Sequence, residues 1–182
     1  MLILASNSPR RIKLLKDTGL EFIVIPSHIK EVIDEKLKPQ DMAIELATKK
    51  AIHVAAKHPK DIVIGADTIV VFQNEILGKP KNEEDAYRML KLLSGERHVV
   101  YTAVALVKGE KIKTFYSETE VSMKSLSDLE IRDYIKTGEP MDKAGAYGIQ
   151  SEGGKLVDHY KGDFFTIVGL PLKDLLEALK DF

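Results

Sequence analysis

The sequence predicts an α/β fold built on a mixed sheet, and three observations carry that expectation. Short apolar runs alternate along the chain with stretches of helical periodicity, the order expected of a sheet covered by helices. Two long strand-like runs, Val99–Val107 and Lys111–Lys124, flank Lys108-Gly109-Glu110 and read as a hairpin, so the sheet is not purely parallel. The length of 182 residues suits a single domain over 1–182, or a compact two-lobed one, with a sizeable core.

The elements follow in order. Leu2–Ala5 is a short buried strand. Ser8 stands at an N-cap with Pro9 at the first helical position, opening a helix that runs to about Thr18 and stops at Gly19. Glu21–Ile25 is a second strand, followed by a charged stretch to Pro39. From Pro39 to Lys57, Met42, Leu46, Ala47, Ala51, Val54 and Ala55 form one apolar stripe of a helix. Ile62–Phe72 is strand-like, though Gly65 and Asp67 interrupt its apolar run, and Ile76-Leu77 pairs back across Gln73-Asn74-Glu75. Glu83–Leu93 is a helix stopped at Ser94-Gly95; Asp128–Lys136 is another, capped by Ser127 and ended by Gly138. Strands near Leu156–Tyr160 and Phe164–Val168 precede a last helix from Pro171 to about Lys180.

Composition removes several function classes. The net charge is -1 with no basic block, which argues against a duplex nucleic acid partner. There is no Cys, so disulfides, thiolate metal sites and cysteine nucleophiles are excluded. No apolar run approaches the roughly 20 residues of a membrane span, and Met1-Leu2-Ile3-Leu4-Ala5 lacks the basic start of a signal peptide. The expected location is the cytoplasm. Neither Gly-x-Gly-x-x-Gly after the first strand nor a Walker-type loop is present.

Chemistry concentrates in a few places. In Ser6-Asn7-Ser8-Pro9-Arg10-Arg11 a strand runs into a tight polar turn and a helix begins, a geometry that attracts anions. The chain has five Arg, and two of them share this first turn, where a cation pair opposes the helix dipole unless an anion offsets it. A solvated, well-capped surface helix is the plainer alternative. Asp67, inside so apolar a segment, is either a cap at a bulge made by Gly65 or a catalytic or metal-binding carboxylate at a strand mouth. Lys50 shares the apolar face of its helix with Leu46 and Val54, so it either snorkels to water or edges a phosphate site. Lys79 in Gly78-Lys79-Pro80 reads as a turn, and Glu31 as part of a solvated loop. Five of the twelve glycines fall between 138 and 154, which suits a loop that approaches a ligand closely or a flexible hairpin. The five His residues show no metal-ligand spacing.

Taken together, Ser6-x-Ser8-Pro9-Arg10-Arg11, Gly65-Ala66-Asp67-Thr68, Gly78-Lys79-Pro80, Ser94-Gly95 with His98, Asp142–Gln150 and Val168-Gly169-Leu170-Pro171-Leu172 resemble the Maf family in order and from end to end of the chain. The resemblance implies the fold of the ITP/XTP pyrophosphatases: a long mixed β-sheet with helices on both sides and two lobes around a nucleotide cleft. It implies hydrolysis of a nucleoside triphosphate between the α- and β-phosphates, assisted by a divalent cation. On this resemblance Asp67 is the proton acceptor and, with Glu31, the metal-binding carboxylate. Arg11, Lys50 and Lys79 match the family's phosphate-contacting cations and Ser6 a substrate-binding polar residue of the first loop, while Arg10, Thr68 and Gln150 match the positions of the subgroup acting on dTTP and UTP. A chain without Cys or a His cluster points to Mg²⁺ or Mn²⁺ rather than Zn²⁺. Two other readings compete: an ITP/XTP-type house-cleaning pyrophosphatase, and a nucleotide-binding regulator of cell division with little turnover. Modified pyrimidine nucleotides are alternative substrates, and a homodimer is the assembly left open.

Overall fold

The computed structural model describes residues 1–32, 34 and 36–182. Its strands are β1 (Leu2–Leu4), β2 (Ile23–Val24), β3 (Ile62–Phe72), β4 (Glu75–Leu77), β5 (Arg97–Lys108), β6 (Lys111–Met123) and β7 (Val157–Gly162). They form one sheet in the order β2-β1-β3-β5-β6-β7, with β4 paired to β3 off that path. β1 lies parallel to both β2 and β3, with Leu4 opposite Val24 and Ile64. β4 runs antiparallel to β3 and β7 antiparallel to β6. The expected mixed sheet is therefore present.

The helices are α1 (Pro9–Asp17), α2 (Pro39–Ala55), α3 (Glu83–Leu93), α4 (Asp128–Lys136), α5 (Phe164–Val168) and α6 (Leu172–Lys180). Their starts follow local chemistry. The Ser8 side chain caps α1 with Pro9 in the first turn, Asn82 caps α3 through the Asp85 amide, and Ser127 forms a capping box with Glu130 on α4.

One element differs in kind from the sequence expectation. Phe164–Val168, apolar and partly β-branched, reads as a strand but is the short helix α5. Asp163 sets it: its carboxylate accepts from the Phe165 amide at 3.1 Å, and its carbonyl accepts from the Thr166 amide and the Thr119 hydroxyl. Local hydrogen bonding has overridden a propensity that is itself strongly context-dependent.

The chain divides into two compact units. The first comprises residues 1–68, 102–117 and 169–182; the second comprises 69–101 and 118–168. In the first, Ile3, Leu4, Leu15, Met42, Ile64 and Leu106 are fully buried. Asp67 lies within β3, and Gly65 precedes it by two residues on the same strand. The role of Gly65 is close packing: a Cβ there would run into the Ala47 carbonyl and lie 2.8 Å from the Ala51 amide nitrogen. The missing side chain lets α2 lie directly on β3.

The second unit packs Val70, Leu77, Leu90, Leu93 and Val100 around Tyr147. Gln73 and Asn74, with φ of 46° and 68°, make the tight turn that returns β4 along β3. His98, 2% exposed, meets the Tyr147 hydroxyl at 2.6 Å through Nε2, and the rings cross edge to face. Burial pulls its pKa from 6.5 down to about 4, so the imidazole is neutral near pH 7.

Two outcomes follow from this packing. Gly65→Ala must force α2 off β3, and is expected to cost about 1–3 kcal/mol in denaturant unfolding; an unchanged midpoint sinks the close-packing account. His98 binds a proton more readily in the unfolded chain than in the folded one. Its contribution is complete above about pH 7 and is lost as pH falls from about 6.5 toward 4, a loss of about 3 kcal/mol. His98→Gln, which cannot titrate, should show a shallower decline across that window, and parallel stability curves for the two proteins contradict the assignment.

Candidate active site

Ser6 and Arg11 are built by the turn that leaves β1. Ser6 is buried, and its hydroxyl accepts from the Ser8 amide at 3.2 Å and faces Arg11 Nη1 at 3.4 Å. Arg11 extends from the first turn of α1 and is held at two further points: Nε donates to the Gly169 carbonyl at 2.7 Å, and Nη2 donates to the Thr68 hydroxyl at 2.9 Å. Gly169 sits at φ +121°, and a Cβ there would stand 3.3 Å from Thr68 Oγ1 and 3.4 Å from Arg11 Nε. Burial lowers the Arg11 pKa, neighbouring Arg10 adds to that, and Asp67 opposes it. The guanidinium nonetheless stays charged.

Asp67 is 6% exposed on β3. Lys50, one turn of α2 beyond Leu46, reaches it with Nζ at 2.6 Å from Oδ1 and contacts Glu31 Oε1 at 2.7 Å. Lys50 therefore does not snorkel to water. Its ammonium joins two carboxylates that are 36 residues apart in sequence, 31 against 67. Burial raises the Asp67 pKa above the ordinary carboxylate range; Lys50 and Arg11 pull against that rise, and Glu31 adds to it. A carboxylate so placed is a stronger base than one in water.

Within the first unit the structure thus brings together Ser6, Arg11, Lys50, Asp67, Thr68 and Glu31. Arg10 occupies the same first turn of α1, half-buried. Lys79 and Gln150 belong to the second unit, and both are exposed. The Lys79 loop is tied to the glycine-rich segment by a hydrogen bond from the Gly145 amide to the Gly78 carbonyl at 3.1 Å. That segment is no flexible hairpin: residues 145–148 are buried, and the Gly148 amide donates to the Tyr134 hydroxyl at 3.1 Å. In the second unit a depression of about 410 Å³ is lined by Ile149, Gly154, Val157, Tyr160 and Phe164 among others.

Two residues of the site escaped sequence reading. Thr102, fully buried in β5, lies with Oγ1 2.9 Å from the Thr68 hydroxyl. Like Asp67 it is a polar side chain inside an apolar run, Val99–Val107, and that was the available signal. Gly169 was legible only as part of a motif, since its carbonyl contact with Arg11 spans 158 residues.

A divalent cation suits part of this arrangement. Asp67 and Glu31 already converge on one cation, the Lys50 ammonium. Two carboxylates supplemented by substrate phosphates and water form the oxygen shell that Mg²⁺ accepts. Among the described residues no group of three or more His, Cys, Asp or Glu is placed to hold a metal by itself, so such an ion would depend on the substrate for further ligands. Among the same residues no helix is long and apolar enough to cross a membrane.

A family model described as Maf-like protein matches residues 1–182. The dTTP/UTP pyrophosphatase of Bacillus mycoides is 47% identical over 181 residues, covering 100% of this chain and 95% of that protein. The Bacillus cytotoxicus protein of the same name is 49% identical over 180 residues, covering 99% and 94%. Among solved structures, the Staphylococcus aureus Ham1 protein aligns with a TM-score of 0.45 at 18% identity, over 67% of this chain and 71% of that one.

The buried pair has a testable energetic signature. Lys50→Met leaves Asp67 buried without its nearest cation and should destabilise by about 3–5 kcal/mol. Asp67→Asn removes the buried charge and should cost much less. Combining the two should recover most of the Lys50→Met loss. Equal, additive losses in a double-mutant cycle of unfolding free energies contradict a coupled buried pair.

Proposed function

Since the chain belongs to the Maf family, we propose that it is a nucleoside triphosphate pyrophosphatase that splits dTTP and UTP into the monophosphate and pyrophosphate. The observation that carries this reading is the dry carboxylate Asp67 beside a basic cluster of Lys50 and Arg11. It is an acceptor for a proton set next to cations for a polyphosphate.

In the proposed reaction a water oxygen attacks the α-phosphorus, the bond from that phosphorus to the bridging oxygen breaks, and pyrophosphate leaves. Asp67 takes the water's proton. Its raised pKa favours that transfer, because a stronger base removes more of the proton in the transition state. Lys50 has three N–H donors, of which, among the described residues, the two carboxylates engage two; the third is assigned to a phosphate oxygen. Arg11 and Lys79 spread the negative charge that builds on the leaving pyrophosphate. Ser6 holds Arg11 and lines the first loop. Asp67 and Glu31 would hold a Mg²⁺ or Mn²⁺ ion together with the phosphates, and that ion supplies Lewis-acid polarisation and charge neutralisation when bound.

Base choice is assigned to Arg10, Thr68 and Gln150. A uracil or thymine edge offers two carbonyl acceptors around one N–H, and a side-chain amide meets one acceptor and that donor together. Cytosine reverses the hydrogen-bonding sense at two positions and leaves groups unpaired, at about 1–3 kcal/mol each. The names of the relatives support this pyrimidine assignment over an ITP/XTP one and over a regulator with little turnover.

The decisive experiment is pyrophosphate release across UTP, dTTP, CTP, ITP, XTP and 7-methyl-GTP with Mg²⁺ and Mn²⁺. UTP and dTTP should be cleaved well ahead of the rest. Asp67→Asn should lower kcat by roughly 10²–10⁴-fold with the fold intact. A preference for ITP, XTP or 7-methyl-GTP sinks the substrate assignment, and an Asp67→Asn enzyme within a few-fold of wild type sinks the acceptor.

A further inference from the structure

We propose that Thr102 is a positioning residue for Arg11, acting through Thr68, and that the relay leaves Arg11 with two N–H groups for one phosphate of the substrate. The inference rests on the phosphate role given to Arg11 above.

Donor arithmetic supports it. A guanidinium has five N–H groups in a rigid plane. Among the described residues, Nε is spent on the Gly169 carbonyl at 2.7 Å, one N–H of Nη2 on Thr68 at 2.9 Å, and one of Nη1 on Ser6 at the longer distance of 3.4 Å. What remains is one N–H on each terminal nitrogen. Two such donors held in one rigid plane suit the oxygens of a phosphate, the kind of recognition for which arginine is suited.

The aim of that pair depends on the plane of the guanidinium, and the plane is set by its three protein partners. Gly169 offers a backbone carbonyl and the Ser6 contact is long. The short side-chain contact is the Thr68 hydroxyl, a group that turns to suit its hydrogen-bond partners. Thr68 Oγ1 accepts from Arg11, and the hydroxyl of the wholly buried Thr102 lies 2.9 Å away. Thr102 is on β5 and Thr68 on β3, strands that are neighbours in the sheet, so the hydroxyl pair spans two rigid elements. With its second partner supplied from β5, the Thr68 oxygen keeps a lone pair on Arg11 rather than rotating away. Thr102 touches neither substrate nor reacting atoms in this scheme, and its influence reaches them only through Arg11.

The test is kinetic, with inorganic pyrophosphate as a binding probe. Thr102→Val keeps the shape and removes the hydroxyl. It should raise KM for UTP and dTTP about tenfold and weaken pyrophosphate binding by a similar factor, with kcat changed less than about threefold. Thr102→Ser should return both to within about twofold of wild type. On an Arg11→Ala background, Thr102→Val should add nothing, because the residue it positions is gone. Should the valine protein fail to fold, Thr102→Cys, a weak donor of similar size, is compared with Thr102→Ser in the same direction. Wild-type KM and pyrophosphate affinity in Thr102→Val, or a full further loss on the Arg11→Ala background, overturns the relay while leaving the phosphate role of Arg11 standing. Unchanged pyrophosphate affinity in Arg11→Ala overturns that role, and the relay with it.

Discussion

The buried carboxylate of Asp67 is the constraint around which the first unit is arranged. Removing an ionised carboxylate from water costs several kcal/mol even after relaxation, and only a close, well-oriented cation offsets it. Lys50 supplies that cation at 2.6 Å, but a lysine on the apolar face of a helix can do so only if the helix backbone lies very near the strand. Gly65 and the small residues Ala47 and Ala51 make that approach feasible, since a Cβ on Gly65 would strike the helix backbone. A chemically demanding side chain on β3 thus dictates small residues two positions earlier on the same strand and along the facing side of α2. The glycine and the aspartate are two parts of one requirement.

Arg11 answers a second requirement of the same kind. A guanidinium drawn out of water must spend its N–H groups on acceptors, and its acceptors come from three stretches of chain: Ser6 in its own turn, Thr68 on β3 and the carbonyl of Gly169 ahead of α6. The positive φ of Gly169 and the tight space its absent side chain leaves beside Arg11 account for glycine there. These partners fix direction as much as they repay desolvation, and direction is what a phosphate-binding cation needs.

Much of this was legible in the sequence, unevenly. Helices announced themselves through caps such as Ser8-Pro9 and Ser127, because capping is local chemistry. The strands appeared as apolar runs bounded by turn residues. Asp67, Arg11 and Lys50 stood out because charge inside an apolar pattern is expensive. Pattern could not say how that expense is met. The close packing of α2 over Gly65 was not readable, since a one-dimensional string does not say which element crosses a strand. Lys50 looked free to snorkel because the carboxylates that hold it, Glu31 and Asp67, lie far off in sequence. Thr102 showed only as a polar side chain in an apolar run, and its role was hidden for the same reason, its partner being 34 positions away. Phe164–Val168 misled in the opposite direction: its side chains favour a strand, and a single aspartate at 163 turns it into a helix.

What converts these separate contacts into one site is strand register. Successive side chains of a strand alternate in direction, so Asp67 and Thr68, adjacent on β3, take different hydrogen-bond partners: Asp67 bonds Lys50 on α2, and Thr68 bonds Arg11 and Thr102, while Arg11 still feels the Asp67 charge. A slip of one residue between β1 and β3 would exchange those hydrogen bonds, leaving a hydroxyl opposite Lys50 and a carboxylate where Thr68 now holds Arg11. The parallel pairing of Leu2, Ile3 and Leu4 with Ile62, Val63 and Ile64 prevents that slip, and the Ala5 amide extends the ladder to the Ile64 carbonyl at 2.8 Å. All the apolar residues in those pairs are buried or half-buried, so a shift would also expose core surface. The few aliphatic residues that open the chain therefore decide which of two neighbouring side chains becomes the proposed base and which becomes the hydroxyl that steadies a cation. In this fold the hydrophobic pattern and the placement of the chemistry are the same specification.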